Sequence, residues 1–395
     1  SAAAYLPSAT VWQAAQGFEL GISAHGKTRM IHARRVIGAT GAVERPFPIP
    51  GWTLPGVMTA GAAQTLLKAS GIAMEGRVVL AGSGPLLWLI AAQYLAAGRR
   101  IDTILDTTPR GNWRNALGGL SGFATSPYLR KGLGLLMKVR RSVRVVSGVT
   151  ALVAEGDARL EAIRYTSGGR ETVLPVDHLL LHQGVVPNVN LASSMGCEIL
   201  WDDVQAAFRP RVDGFGETSV EGFAIAGDGA GIAGAEAAAE RGRLAALGAL
   251  SALGRISSGQ RDEAAAPIRA VLNRYDKGRG FLDALYRPAP QFRVAANDAI
   301  ACRCEEVTGG QVRDAVTQLG VTGPNQLKSF LRCGMGPCQG RLCGLTITET
   351  IAEARGVSPE AVGYYRLRAP IKPITLAELA SLDKADEEVR MVARG

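Results

Sequence analysis

Arg77-Val78-Val79-Leu80-Ala81-Gly82-Ser83-Gly84-Pro85 is a short apolar run that breaks into a glycine turn. Val78–Ala81 carries no polar group, so it reads as a buried strand, and the apolar stretch Leu86–Ala97 reads as a helix. Ile101–Leu105 is the next strand and ends at Asp106. The three together make a βαβ start. Gly82 permits the tight turn, and Gly84 lets a pyrophosphate approach the backbone N–H groups at the helix start. The third glycine of the dinucleotide fingerprint would fall at position 87, where Leu87 stands. Asp106 is placed to accept from a ribose hydroxyl. Two readings stay open on these residues: a site for a dinucleotide or other adenine nucleotide, and a Rossmann-shaped domain with no ligand.

Upstream of this unit, residues 60–70 read as a helix. Thr10–Ala14, Phe18–Ser23, Thr28–Ala33 and Arg35–Ala39 alternate as a small β-meander ending in Ala39-Thr40-Gly41, and a proline-rich connector, 45–51, follows. Downstream come a basic amphipathic helix over 128–141 and strand-like segments at 143–153, 160–166 and 171–182. His182 closes the last of these, where a core or backbone-bonded role is expected. Gly184–Asn188 reads as a turn. Phe223–Ala226 is a strand that delivers Asp228 to a glycine-rich helix start, and an alanine-rich helix runs on to about Leu250. Such a carboxylate either accepts from sugar-alcohol hydroxyls beside a flavin or caps the helix with no ligand. The polar segment 255–267 reads as a loop and domain boundary, with a helix at about 264–276 and a second linker at Arg287–Pro290. Strands alternating with helices make this an α/β protein.

Composition narrows the class. Of 395 residues, 47% are hydrophobic and 20% charged, which excludes a disordered chain. No apolar window reaches the ~18–20 residues of a membrane span. The net charge of +9 comes from scattered arginines with only short pairs such as Arg34–Arg35. That is a solvated surface and not a nucleic-acid stripe.

Cysteine usage is the sharpest compositional signal. Cys197 stands alone and reads as a core residue. Cys302, Cys304, Cys333, Cys338 and Cys343 crowd into 42 residues, the pattern of a metal site in a reducing compartment. Four thiolates from two loops suit tetrahedral zinc or a [2Fe–2S] cluster. The one-residue gap of Cys302-Arg303-Cys304 is less usual for zinc. The glycine-rich loop Cys333–Gly340 can wrap N–H groups around cluster sulfides.

Three separated signatures resemble the glutathione-reductase-like flavoproteins with two dinucleotide-binding domains: Val36–Gly41 with Arg45-Pro46 and Pro50-Gly51, then Gly82-Ser83-Gly84, then Ala226-Gly227-Asp228. Cys302–Thr308 and Arg332–Gly340 resemble the small, mostly helical BFD-like [2Fe–2S] domain. Together they resemble the larger subunit of opine oxidases, hydrogen cyanide synthase and D-hydroxyproline or proline dehydrogenases. The resemblance implies FAD held by Thr40, Gly41, Gly227 and Asp228, with Asp228 on the ribityl chain. It implies a [2Fe–2S] cluster on Cys302, Cys304, Cys338 and Cys343, with Cys333 left out. NAD(P) or another adenine nucleotide at Gly82, Gly84 and Asp106 stays open because of Leu87. The implied activity is electron transfer beside a D-amino-acid-oxidase-like flavoprotein subunit that oxidises a secondary amine or amino acid, with an unknown electron acceptor. The alternatives are a stand-alone NAD(P)H-dependent flavin or ferredoxin-type reductase and a zinc-binding scaffold. The expected location is the cytoplasm, with peripheral attachment at the inner membrane as an option.

The family's N-terminal strand–GxGxxG–helix has no counterpart after Ser1, so a fragment lacking that βαβ unit is expected. The expected divisions are 1–75, partial FAD-binding domain; 76–188, NAD(P)-binding-type Rossmann domain; 189–255, the remaining FAD-binding part; 256–297, linker with a helix; 298–350, cluster domain; and 351–395, tail.

Overall fold

Five parallel strands, in the order Val57–Thr59, His178–Gln183, Val78–Ser83, Thr103–Asp106 and Arg144–Ser147, form the central sheet of the computed structural model, which describes residues 4–15 and 17–383. Every residue of Val78–Ser83 is buried, as its uncharged sequence requires. The helix Pro85–Ala96 starts with proline at its first position, where the missing N–H costs nothing. Leu87 is fully buried in the core between this helix and the sheet, together with Val78, Leu80 and Ile90. The place where a glycine would allow close helix–strand packing is thus filled by a side chain that the core absorbs. A three-stranded antiparallel sheet, Val149–Glu155, Ala162–Ser167 and Arg170–Pro175, lies in sequence between the parallel strands Arg144–Ser147 and His178–Gln183.

The sheet begins earlier than the sequence division at 76, because Val57–Thr59 already pairs with Leu179–Leu181. Gly184–Asn188 is more than a turn. Val185–Pro187 pairs antiparallel with Ala42–Glu44, so the two crossings between the halves of the protein form a ribbon. In the other half, Phe223–Ile225 lies parallel to Val36–Gly38, and the meander Thr10–Ala14, Glu19–Ala24, Lys27–His32 is antiparallel.

The polar segment 255–267 is largely helical, which corrects the loop reading. Ser257 and Gln260 form a reciprocal capping box, and a 28-residue helix, Ser258–Leu285, follows with Pro267 inside it. Its polar residues face solvent, which is why the stretch looks like a linker. Its apolar face packs on the helix Ala235–Ala252 through Leu272 against Leu244, and on Phe123, whose ring stacks on Phe281 at 4.4 Å.

The cysteine-bearing region is a small helical unit. The hairpin Ile300–Cys302 and Val307–Thr308 leads into helices Gly309–Leu319, Pro324–Leu331 and Gly344–Arg355. Gly344–Ala352 is buried on all sides and forms the axis of this unit. Its core continues past residue 350 to Val362 and Tyr365. The following chain packs back on the meander: Ile371 N–H donates to Trp12 O at 2.7 Å and Thr28 N–H to Ser381 Oγ at 2.8 Å. The charged stretch from Lys384 onward lies outside the described residues. Among the described residues no helix is long and apolar enough to cross a membrane.

Candidate functional site

Residues of three of the sequence signatures, Arg45, Gly84 and Asp228, line one cleft. Thr40 Oγ donates to Asn188 O at 3.2 Å, and Asn188 N–H donates to Gly41 O at 3.0 Å, which ties the two crossings together. A side chain at Gly229 would meet Thr40 Oγ, so the Thr40-Gly41 turn lies directly against the Gly227–Ala230 segment. Asp228 sits in that segment, a 3-10 turn, and does not open the long helix, a correction to the sequence expectation. Its Oδ1 accepts from Ala233 N–H at 2.8 Å and Gly234 N–H at 3.0 Å, just ahead of the helix Ala235–Ala252.

A cavity of about 250 Å³ brings Asp228 to the Gly82–Pro85 turn; Arg45, Gly84, Pro85, His182 and Tyr286 share its wall. Gly82 runs so close to the His182 backbone that no Cβ fits. His182 is buried, as expected, but its partner is a carboxylate and not the backbone. Its Nδ1 lies 2.6 Å from Glu44 Oε1, while Glu44 Oε2 accepts from Gly61 N–H at 2.8 Å, at the start of the helix Ala60–Ser70. One carboxylate thus joins the crossing ribbon, the sheet and a helix N-terminus, where the dipole favours negative charge.

Asp106 ends its strand as read, and its Oδ1 accepts from Thr108 N–H at 3.0 Å. Burial pushes its carboxyl above the usual range. The end of the long helix occupies the same edge. Asn112 Nδ2 donates to Leu285 O and Arg287 O, both at 2.9 Å, and pins that segment down. Burial, and then the nearby Asp106 carboxylate, push the Tyr286 phenol up to about 12.

The five clustered thiols run as a chain of neighbours: Cys304 beside Cys338, Cys338 beside Cys343, Cys343 beside Cys302, and Cys302 beside Cys333. Hydrogen bonding from Cys343 draws the Cys338 thiol down to about 5, and that from Cys333 and Cys343 draws Cys302 down further. Cys304 is exposed, while Cys302, Cys333 and Cys343 are buried. Among the described residues no three His, Cys, Asp or Glu side chains converge as a single ion needs. The neighbouring thiols of Cys302, Cys304, Cys338 and Cys343 are the donor set that a [2Fe–2S] cluster needs. Two further observations fit a cluster here. Gly336 packs against Cys304 with no room for a side chain, and the buried hydroxyl of Tyr365 lies beside Cys343 with no partner. Cys197 lies apart in the core with Phe223.

Three buried or half-buried charges run from this unit toward the cleft, and of these only Arg45 falls in a sequence signature. Arg45 is 4% exposed and donates through Nη2 to Gln205 O at 2.7 Å and Ala206 O at 2.9 Å. Burial lowers its pKa to about 10, against the pull of Glu349. Glu349 Oε1 accepts from Arg293 Nη1 at 2.6 Å. Glu349 lies on the helix that begins directly after Cys343, about 9 Å along its axis at about 1.5 Å per residue. Trp52 Nε1 adds a hydrogen bond to Ile300 O at 2.7 Å.

The family model for pyridine nucleotide-disulphide oxidoreductases matches residues 7–242. The chain belongs to that family. As a pyridine nucleotide-disulphide oxidoreductase it also carries a BFD-like [2Fe–2S] binding domain, matched at residues 300–353. FAD-binding and [2Fe–2S]-binding domains are therefore both present. The oxidoreductase is 48% identical to an opine oxidase subunit of Rhizobium meliloti over 98% of this chain and 75% of that protein. It is 33% identical to the HcnB subunit of hydrogen cyanide synthase from Pseudomonas aeruginosa, over 87% of this chain and 75% of that protein. Its fold matches L-proline dehydrogenase from P. horikoshii with a TM-score of 0.65 and 18% identity, over 94% of this chain and 64% of that one.

Proposed function

We propose that the chain is the flavin and iron–sulfur relay subunit of a heteromeric dehydrogenase or oxidase acting on secondary amines or amino acids of the opine, hydroxyproline, proline or glycine type. The observation that carries this is one helix, Gly344–Arg355, that starts at Cys343 and carries Glu349, whose charge reaches Arg45 in the wall of the Asp228 cleft. FAD and a [2Fe–2S] cluster, when bound, supply one-electron and two-electron redox chemistry at the two ends of that connection. Thr40, Gly41, Gly227 and Asp228 hold the flavin side, with Asp228 Oδ2 as acceptor for a sugar-alcohol hydroxyl. Cys302, Cys304, Cys338 and Cys343 hold the cluster as thiolates. Cys333, buried beside Cys302, stays a neighbour. Arg293 pairs with Glu349, and Arg45, bonded to the Gln205 and Ala206 carbonyls, lies within reach of that charge.

The opine oxidase and hydrogen cyanide synthase relatives are, by their names, subunits of larger enzymes. By extension, amine oxidation belongs to a partner chain, a D-amino-acid-oxidase-like flavoprotein. Tyr286 and the pinned Leu285–Arg287 segment at the Asp106 edge favour the relay over a stand-alone NAD(P)H-dependent reductase. Co-expression with such a partner should give amine-dependent dye reduction that neither chain shows alone. NAD(P)H oxidation by the isolated chain at a comparable rate would overturn the relay. Stoichiometric zinc without iron would overturn the cluster.

A further inference from the structure

We propose that the Tyr365 hydroxyl donates a hydrogen bond to the Cys343 sulfur when the cluster is bound, and that this bond raises the cluster's reduction potential. The inference rests on the assignment of Cys343 as a ligand.

Tyr365 is 1% exposed and among the largest fully buried side chains of the protein. Its ring is held on every side. Gly334 and Gly340 of the glycine-rich loop press against it; a Cβ at either would come within 2.7 or 2.8 Å of ring carbons. Lys328 Nζ lies 4.7 Å from the ring centroid, and the Tyr364 ring meets it edge-on at 6.0 Å. Ser193 Oγ donates to the Tyr365 carbonyl at 3.2 Å and fixes the backbone from the neighbouring domain. The hydroxyl therefore cannot swing out to solvent.

A ring packed this way needs no hydroxyl. Phenylalanine would fill the same space, and an unpaired buried hydroxyl costs about 1–3 kcal/mol. The hydroxyl has no hydrogen-bond partner among the described residues. The groups packed with it in the same buried core are Cys343, Cys333 and Cys302. A thiol is a weak acceptor; a metal-bound thiolate is a good one. The arrangement acquires its purpose once Cys343 is ionised on iron. A donor on that sulfur stabilises the reduced, more negative cluster more than the oxidised one, and hydrogen bonds to sulfur are a main control of cluster potential. Tyr365 is thus a positioning and tuning residue that never touches the amine.

The test uses the full chain purified anaerobically, with iron and sulfide assayed before an EPR-monitored redox titration. Tyr365→Phe should keep the wild-type iron and sulfide content and shift the midpoint to lower potential. Site-specific 3-fluorotyrosine at position 365, a stronger donor of nearly the same size, should shift it upward. Wild-type content with an unchanged midpoint in Tyr365→Phe overturns the inference. Should Tyr365→Phe lose the cluster, an unchanged midpoint in the fluorotyrosine protein overturns it instead. A wild-type chain without iron refutes the ligand assignment, and the inference falls with it.

Discussion

Gly334→Ala should loosen the cysteine unit far more than Gly356→Ala, although both glycines have positive φ, +85° and +65°. In each, an added Cβ in the left-handed region costs about 1–2 kcal/mol. Around Gly356, which ends the helix Gly344–Arg355, a Cβ meets nothing within 4 Å. At Gly334 it would lie 2.7 Å from Tyr365 Cε1 and Cζ and 3.1 Å from Cε2. Tyr365 is clamped, so the loop must give way, at an overpacking cost of about 1–3 kcal/mol. The backbone cost cancels between the two variants, and their difference isolates the ring contact. Native-state hydrogen exchange of the amides in Gly344–Arg355 reports local opening of this unit without requiring the whole chain to unfold in one step. The difference corresponds to about 5- to 150-fold in exchange rate. Tyr365→Leu combined with Gly334→Ala should recover part of the loss, as a favourable coupling in a double-mutant cycle. Equal exchange in the two glycine variants would refute the claim that the loop is seated on the Tyr365 ring.

Cys338→Ser should abolish the visible cluster spectrum and leave iron and sulfide far below about two each per chain, while Cys333→Ser should keep both; the reverse pattern, read by iron analysis, would reassign the ligands. Glu44→Gln should cost about 1–3 kcal/mol in thermal unfolding, because it disturbs the carboxylate that serves both His182 and Gly61; a change under a few tenths would show the pair to be idle. Burial raises the Asp106 carboxyl in the folded state, so the stability that this group contributes is complete below its unfolded pKa of about 3.9 and is lost as pH rises through the raised folded value. Asp106→Asn should therefore melt higher than wild type at neutral pH and no higher near pH 3; a pH-independent difference would count against the burial argument.

The parts legible in the sequence were those encoded locally. Val78–Ala81 followed by glycines announces a buried strand and a tight turn, and the cysteine spacing announces a metal site, zinc or [2Fe–2S]. The misreadings have physical causes. Ser257–Pro267 looks like a loop because an exposed amphipathic helix shows mostly polar residues, although Ser257 and Gln260 already stand at capping-box spacing. Leu87 looks like a defect in a fingerprint until the core places it among Leu80 and Ile90. Glu44 and His182 are 138 residues apart, and nothing in either segment names the other. Tyr365 lies beyond the last cysteine and carries no motif. Its role depends on the chain returning under the glycine-rich loop, which is a property of packing alone.

A network of charge is likewise retained in an otherwise apolar interior, and its placement gives it a role. Arg45 stands on the crossing side of the cleft, Glu349 on the helix that issues from Cys343, and Arg293 at the entry to the cysteine unit. Buried ion pairs add little net stability compared with apolar packing, but breaking one is costly, so they hold one arrangement against its alternatives. Apolar contacts between these two units would let them slide. The buried Arg293–Glu349 pair, at 2.6 Å, would not, because a small displacement leaves a buried charge unpaired. For a chain that passes electrons between a cleft and a cluster, a fixed separation matters more than extra stability, and the Arg293–Glu349 pair, with Arg45 within reach of the Glu349 charge, favours one arrangement.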